Sequence, residues 1–284
     1  MNGNNMLKLS FEFFPPRSQA MQRRLWRAMG QLERLDPLFY SMTYGALGSA
    51  QQVSVDTVLA MHHESPVPVA AHLTAADATR ETVEAAATRF YDAGIRAIVT
   101  LRGDETQTES RYAFPSAAEL VAALHDRWLD VDLNVAAYPE VHPDATSADS
   151  CLSHLQRKLD AGATRAITQY FFDADTFLRF RDRAAAKGIN KPLVPGILPV
   201  HDPDKVKAFS ARCGATFPDW LAERFERAGT DASTRYKLAV ETALALCEQL
   251  RAEGVEHFHF YTLNQTDLCL DISLALGASL RRAA

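Results

Sequence analysis

Eight short β-type runs, each followed by a stretch of helical periodicity, fill this chain from end to end, and no other feature restricts its fold as strongly. The runs cover residues 7–14, 38–44, 67–74, 97–104, 132–139, 165–172, 192–199 and 257–264. Several are near-continuous apolar stretches, as parallel strands covered on both faces are. Between them, 81–91 places Val83, Ala87, Phe90 and Tyr91 on one side of a helix. Residues 176–183 carry Phe177, Leu178 and Arg181 around a turn, and 236–250 carries Leu238, Val240, Ala243, Leu244 and Leu246 at helical spacing. Ser147 and Asp202-Pro203 read as helix starts, and Ala161-Gly162 and Lys187-Gly188 as helix ends. Eight strand–helix units in 284 residues are the pattern of a (β/α)8 TIM barrel, typically ~250 residues long. An open doubly wound sheet is the rival, but it normally carries a glycine-rich turn, and no GxGxxG occurs. The stretch 213–231 exceeds a simple connection. There Pro218-Asp219-Trp220-Leu221 opens an extra helix before the last strand–helix unit. No composition shift divides the chain, so residues 1–284 read as a single barrel domain.

Composition excludes several function classes. Hydrophobic residues at 47% and charged residues at 23% fit a soluble globular chain with a full core. The net charge of −5 is spread without a basic tail or stripe, which argues against nucleic acid as a partner. Apolar runs are strand-sized, so none is expected to span a membrane. The first six residues lack the basic and apolar regions of a secretory signal. Cys151, Cys213, Cys247 and Cys269 form no CxxC pair, so neither a zinc site nor a disulfide framework is expected. These features together read as a reduced, cytoplasmic protein.

In such a barrel, function gathers where the strands end. The first run, Leu7-Lys8-Leu9-Ser10-Phe11-Glu12-Phe13-Phe14, stops at Pro15-Pro16, because proline has no N–H for a ladder. Alternation puts Leu9, Phe11 and Phe13 on one face and Ser10, Glu12 and Phe14 on the other. Glu12 is thus a carboxyl near a strand end among aromatics. An apolar shell there would raise its pKa and let it hold a proton near neutrality; a strand-end Glu that merely reaches water is the plainer reading. The remaining strand ends supply Thr43, His72, Arg102-Gly103-Asp104, Tyr138, His142, Gln169 and Tyr261. This mix of acids, amides, hydroxyls, one Arg and aromatics suits a planar, polar, aromatic ligand better than a metal. The one His-x-His pair, His257-Phe258-His259, starts the last strand, which is the wrong end for a barrel metal cluster. No strand end offers a Schiff-base Lys or a nucleophile with a base beside it.

These segments resemble the methylenetetrahydrofolate reductase family. The likeness is carried, in order and one motif per strand, by Phe11-Glu12-Phe13-Phe14-Pro15-Pro16, Thr43-Tyr44-Gly45-Ala46, His72-Leu73-Thr74 and Leu101-Arg102-Gly103-Asp104. It continues through Ala137-Tyr138-Pro139-Glu140-Val141-His142-Pro143, Thr168-Gln169-Tyr170-Phe171-Phe172-Asp173, Pro195-Gly196-Ile197-Leu198-Pro199 and Phe260-Tyr261-Thr262-Leu263-Asn264. The chain is similar to the short bacterial type. The resemblance implies FAD-dependent reduction of 5,10-methylenetetrahydrofolate to 5-methyltetrahydrofolate with NADH or NADPH, by a ping-pong hydride transfer. It implies Glu12 as general acid, Asp104, Gln169, Phe209 and Tyr261 on the substrate, and Asp104 also beside the flavin. Thr43, His72, Arg102, Gly103, Tyr112, Ala113, Tyr138, His142, His154, Arg157 and Lys158 would hold the flavin. It also implies a homo-oligomer. The chain departs from the family pattern at Cys151 and His154, where the family has Asp and Asn, and at Gln265. Those departures keep two other readings open: direct hydride transfer from NADH to folate without flavin, and a non-catalytic folate- or flavin-binding barrel.

Overall fold

The computed structural model describes residues 7–44, 51–76, 78–103 and 113–281. Nine strand segments form one parallel sheet, β1 (Lys8–Phe13), β2 (Phe39–Met42), β3 (Val69–Thr74), β4 (Ala97–Leu101), β5 (Asp132–Ala137), β6 (Arg165–Thr168), β7 (Leu193–Val194), β8 (Gly196–Ile197) and β9 (His257–Tyr261). The sheet order is β7-β6-β5-β4-β3-β2-β1-β9-β8. β7 and β8 are the two halves of one stave, separated by Pro195. Before the proline it pairs with β6, and after it with β9. The expected eight-stranded barrel therefore closes at this kink. Proline cannot donate to a ladder, so the seam is sewn partly by side chains. His259 N donates to Pro195 O (3.0 Å), Gly196 N to Thr168 Oγ1 (2.9 Å), and Tyr261 OH to Thr168 O (2.7 Å).

Strand alternation sorts the residues as the sequence suggests. Leu9, Phe11, Phe13, Phe258 and Phe260 point outward and are buried under the helices. Each such Phe contributes roughly 2–3 kcal/mol. The inward residues Phe39, Ala70, Val99, Ile167 and Val194 form a smaller apolar cluster inside the barrel. Helices α1 (Gln19–Glu33), α2 (Gln51–Glu64), α3 (Arg80–Asp92), α4 (Ala117–Arg127), α5 (Ala148–Asp160) and α6 (Ala174–Ala186) follow the first six strands in turn. Side chains of Ser18, Thr79, Ser116, Ser147 and Asp173 cap the N-termini of α1 and α3–α6, each contributing about 1 kcal/mol.

Two short helices intervene between the split stave and the long α9 (Ala232–Ala252), both starting where the sequence suggests: α7 (Pro203–Cys213), capped by Asp202, and the extra helix α8 (Asp219–Arg227), opened by Pro218. The helix α10 (Thr266–Ala275) ends the barrel. β3 ends at Thr74, where its apolar run ends, and the other strands stop one to four residues earlier than their runs. Gln169, expected on a strand, is the first residue past β6. Among the described residues no helix is long and apolar enough to cross a membrane.

Candidate active site

Glu12 occupies the penultimate position of β1 and faces the barrel interior, with its side chain 12% exposed. Thr262 fixes its main chain, donating to Glu12 O through both N (3.1 Å) and Oγ1 (2.6 Å). Two residues on, the Asn264 amide clasps Phe14, accepting from its N and donating to its O, both at 2.9 Å. Asn264 and Leu263 adopt left-handed backbone (φ 57° and 47°) to do so. Such strain persists only where the surroundings enforce it.

The shell around the carboxyl is not the apolar one expected from the sequence. Glu12 Oε2 lies 3.5 Å from His72 Nε2 and 3.7 Å from His259 Nε2. Burial raises the Glu12 pKa, with His72 pulling the other way. Burial also drives His72 down to about 4 and His259 to about 3. At neutral pH both rings are uncharged, so the carboxyl has no counter-charge to hold it ionised. Ser10 Oγ bonds His259 Nδ1 (2.8 Å) and His257 Nε2 (2.9 Å). His72 Nε2 and Thr43 Oγ1 are buried with no hydrogen-bond partner among the described residues. Orphaned buried polar atoms at a rim are places where a ligand's groups complete the network.

This cluster predicts acid sensitivity with a definite sign. His257, His72 and His259 stay neutral in the fold down to about 3–4, whereas in the unfolded chain each binds a proton below 6.5. Their contribution to stability is therefore lost as pH falls from 6.5 towards 4. Glu12 opposes this, because its raised pKa keeps a proton in the fold that the unfolded chain releases above 4.5. Three imidazoles outweigh one carboxyl, so between pH 6.5 and 4.5 the unfolded chain binds more protons and stability falls with pH. Urea midpoints measured from pH 7 to 4.5 check this, and a flat profile contradicts neutral buried imidazoles.

An aromatic wall rises beside the acid. Tyr261 follows His259 inward, edge-on to it at 5.4 Å, and lies over Gly196. Tyr170 stands edge-on to Tyr261 (6.2 Å) and stacks with Phe209 on α7 (6.0 Å, 22° between planes). Tyr170 OH shares a hydrogen bond with Ser210 Oγ (3.0 Å), which anchors α7 to the rim. Gln169 turns its Oε1 back to Tyr170 N (3.0 Å); its amide nitrogen has no partner among the described residues.

On the far side basic groups gather. Arg102 pairs with Asp144 (2.8 Å), and the His142 ring accepts from Asp144 N (3.1 Å) and meets Tyr138 edge-on at 4.5 Å. Arg157 reaches His154 Nδ1 (2.8 Å). Partial burial, then the charges of Arg157, Lys158 and Arg102, hold the His154 pKa below its usual range. Lys158 bends back to donate to Ala136 O, and burial lowers its pKa to about 8. Cys151 Sγ accepts from His142 N (3.4 Å). Gly103 takes φ +85°, and a Cβ there would sit 2.8 Å from Ala76 Cβ and 3.0 Å from Thr74 Cβ, so only glycine fits. Ala113 N bonds Ala75 O (2.9 Å). Asp104 and Tyr112 lie outside the described residues.

The structure thus groups Glu12, His72, Thr43 and Tyr261 at the mouth, Gln169 and Phe209 on one flank, and Arg102, Tyr138, His142, His154, Arg157 and Lys158 on the other. The sequence reading placed the His257–His259 pair at the wrong end, which holds for His257 only. His259, two residues further along β9, comes level with the acid. Thr262, Asn264 and Tyr170 were missed as site-builders. The β1–β9 register, Ser10 opposite His259 and Glu12 opposite Tyr261, is what brings these together.

Comparison with known proteins identifies the family. The family model described as methylenetetrahydrofolate reductase matches residues 2–277. The 5,10-methylenetetrahydrofolate reductase of Escherichia coli (strain K12) is 41% identical over 271 residues, covering 95% of this chain and 91% of that protein. The enzyme of that name from Buchnera aphidicola subsp. Acyrthosiphon pisum is 39% identical over 276 residues, covering 97% and 94%. Among solved structures, an uncharacterized Clostridium thermocellum protein that binds two copies of 5-methyl-5,6,7,8-tetrahydrofolic acid shares the fold. Its TM-score is 0.67 at 15% identity, with 95% of this chain and 94% of that one covered. A buried acid ringed by neutral imidazoles, set in a closed parallel barrel and matched along nearly its whole length by these reductases, places the chain in the methylenetetrahydrofolate reductase family.

Proposed function

We propose that this reductase works on 5,10-methylenetetrahydrofolate through a bound FAD reduced by NADH or NADPH, the two substrates taking turns over one site. The observation that carries this reading is Glu12. It is a carboxyl whose pKa burial raises, so that it holds its proton more tightly than an exposed glutamate, at the rim beside an aromatic wall. A proton delivered to the folate N10 opens the imidazolidine ring to an electrophilic iminium, which accepts hydride. His259, fixed by Ser10, keeps an imidazole beside the carboxyl for proton exchange. Tyr170 and Phe209 offer faces for the pterin, the aryl group or the dinucleotide, and Gln169 offers free amide donors. Asp104 is assigned to the pterin's amino and ring N–H groups.

The residues present fit a flavin. Thr43 Oγ1 and His72 Nε2 are the unpaired groups such a ring system would meet, and Gly103 keeps the backbone clear. Tyr138, His142 and Ala113 line the same side, with Tyr112 assigned beside them. Arg102, Arg157 and Lys158 supply the positive field a diphosphate requires, with the His154 ring beside them as a neutral hydrogen-bonding group. Bound there, FAD supplies the hydride relay between nicotinamide and folate. The test is a spectrum of the purified protein before and after anaerobic NADH. A flavin band that bleaches on reduction is the expected result. A colourless protein that neither binds added FAD nor turns over with it removes the flavin from the mechanism.

A further inference from the structure

We propose that His257 is the inlet of a proton path that climbs the barrel interior from its N-terminal pole, so that Glu12 is reloaded from the face opposite the substrates. The proposal rests on the reading of Glu12 as the acid. His257, Lys8 and Arg165 are the first residues of β9, β1 and β6 and share the lower pole of the barrel. His257 is half-buried there. From it a line of polar atoms runs upward: His257 Nε2 to Ser10 Oγ at 2.9 Å, Ser10 Oγ to His259 Nδ1 at 2.8 Å, His259 Nε2 to Glu12 Oε2 at 3.7 Å. Ser10 and His259 are fully enclosed.

The surroundings make this line a channel for protons alone. Phe39 stacks on His259 (5.7 Å) and meets His257 edge-on (6.1 Å), and Ala70, Val99, Ile167 and Val194 fill the rest of that level. The charged groups around His257 are Lys8, paired with Glu256 at 3.4 Å, and Arg165, paired with Asp132 at 2.8 Å. Burial first, then the His259 ring and both positive charges, disfavour a resting imidazolium, so a proton arriving from water is passed on.

The transfer balances. A hydroxyl between two ring nitrogens accepts from one and donates to the other. The His259 Nε2–H bond breaks as the Glu12 O–H bond forms. Ser10 gives its proton to His259 Nδ1 and takes one from His257 Nε2, while His257 Nδ1 takes one from water. One proton enters and one reaches Glu12; the hydroxyl then turns back, and each ring returns to its starting tautomer before the next transfer. A reload from below is useful because the bound substrate covers the rim.

Two variants test this, His257→Gln, which keeps a donor towards Ser10 but cannot relay, and His257→Phe. In both, the first folate turnover of reduced enzyme should match wild type, since Glu12 already holds its proton. Later turnovers should slow by roughly tenfold or more. Added imidazole should restore them, and NADH oxidation with menadione should be unaltered. Unchanged steady-state folate reduction in His257→Gln overturns the proposal. So does a loss shared equally with NADH oxidation and indifferent to imidazole, which marks a structural role. Failure of the acid assignment itself shows separately, as folate reduction surviving in Glu12→Gln.

Discussion

Glu12→Gln lowers the folate half-reaction by about 10²- to 10⁴-fold, the span of a lost general acid, and leaves hydride transfer from NADH to the flavin close to wild type. The amide has the shape of the protonated carboxyl and can occupy the same space between His72 and His259. It differs in having no proton acidic enough to give. Nicotinamide oxidation needs no such proton, so the two half-reactions should separate. Stopped-flow measurement of each, with one substrate at a time, is the check. Equal losses in both would mean that the carboxylate shapes the site rather than protonating the folate. The raised pKa sets the pH dependence as well: the folate step should weaken as pH climbs through the Glu12 pKa, and the nicotinamide step should not follow it.

Gly196→Ala should destabilise the barrel by about 3 kcal/mol, at the upper end of ordinary overpacking, or roughly 5 °C in Tm for a chain of this size. An added Cβ would stand 2.2 Å from Thr168 O, 2.5 Å from Tyr261 Cε2 and 3.0 Å from the Tyr261 hydroxyl oxygen. The first of these is backbone and cannot step aside. Relief requires Gly196 to draw away from Thr168 or Tyr261 to leave its bond to Thr168 O, and either opens the seam at Pro195. Tyr261→Phe keeps the ring and loses only that hydrogen bond, so it should cost about 1 kcal/mol. Urea denaturation of the two variants tells the cases apart. A midpoint for Gly196→Ala within the range of Tyr261→Phe would show that the seam yields without strain.

Much of this was legible in the sequence, and the reasons are local. Period-two alternation in Leu9-Ser10-Phe11-Glu12-Phe13 depends only on pleat geometry, so the placing of Glu12 on the face opposite Leu9, Phe11 and Phe13 followed directly, though not which face looks into the barrel. Ser147, Asp202 and Pro218 announced helix starts by chemistry that needs no tertiary partner. What stayed hidden depended on register between distant strands. Nothing near His259 indicates that it stands level with Glu12; that follows from the pairing of β9 with β1. Nor does Pro195 declare that its stave changes partners on either side of it. The apolar shell expected around Glu12 was an extrapolation from its neighbours in sequence, which in a strand point away from it.

The stitching of Thr262 and Asn264 onto Glu12 and Phe14 has a consequence for biogenesis. The acid belongs to the barrel's first strand, and the groups that orient it follow its last, so they leave the ribosome well after it. During synthesis the nascent polypeptide therefore carries its proton donor unaimed, and chemical competence arrives only when the ring shuts.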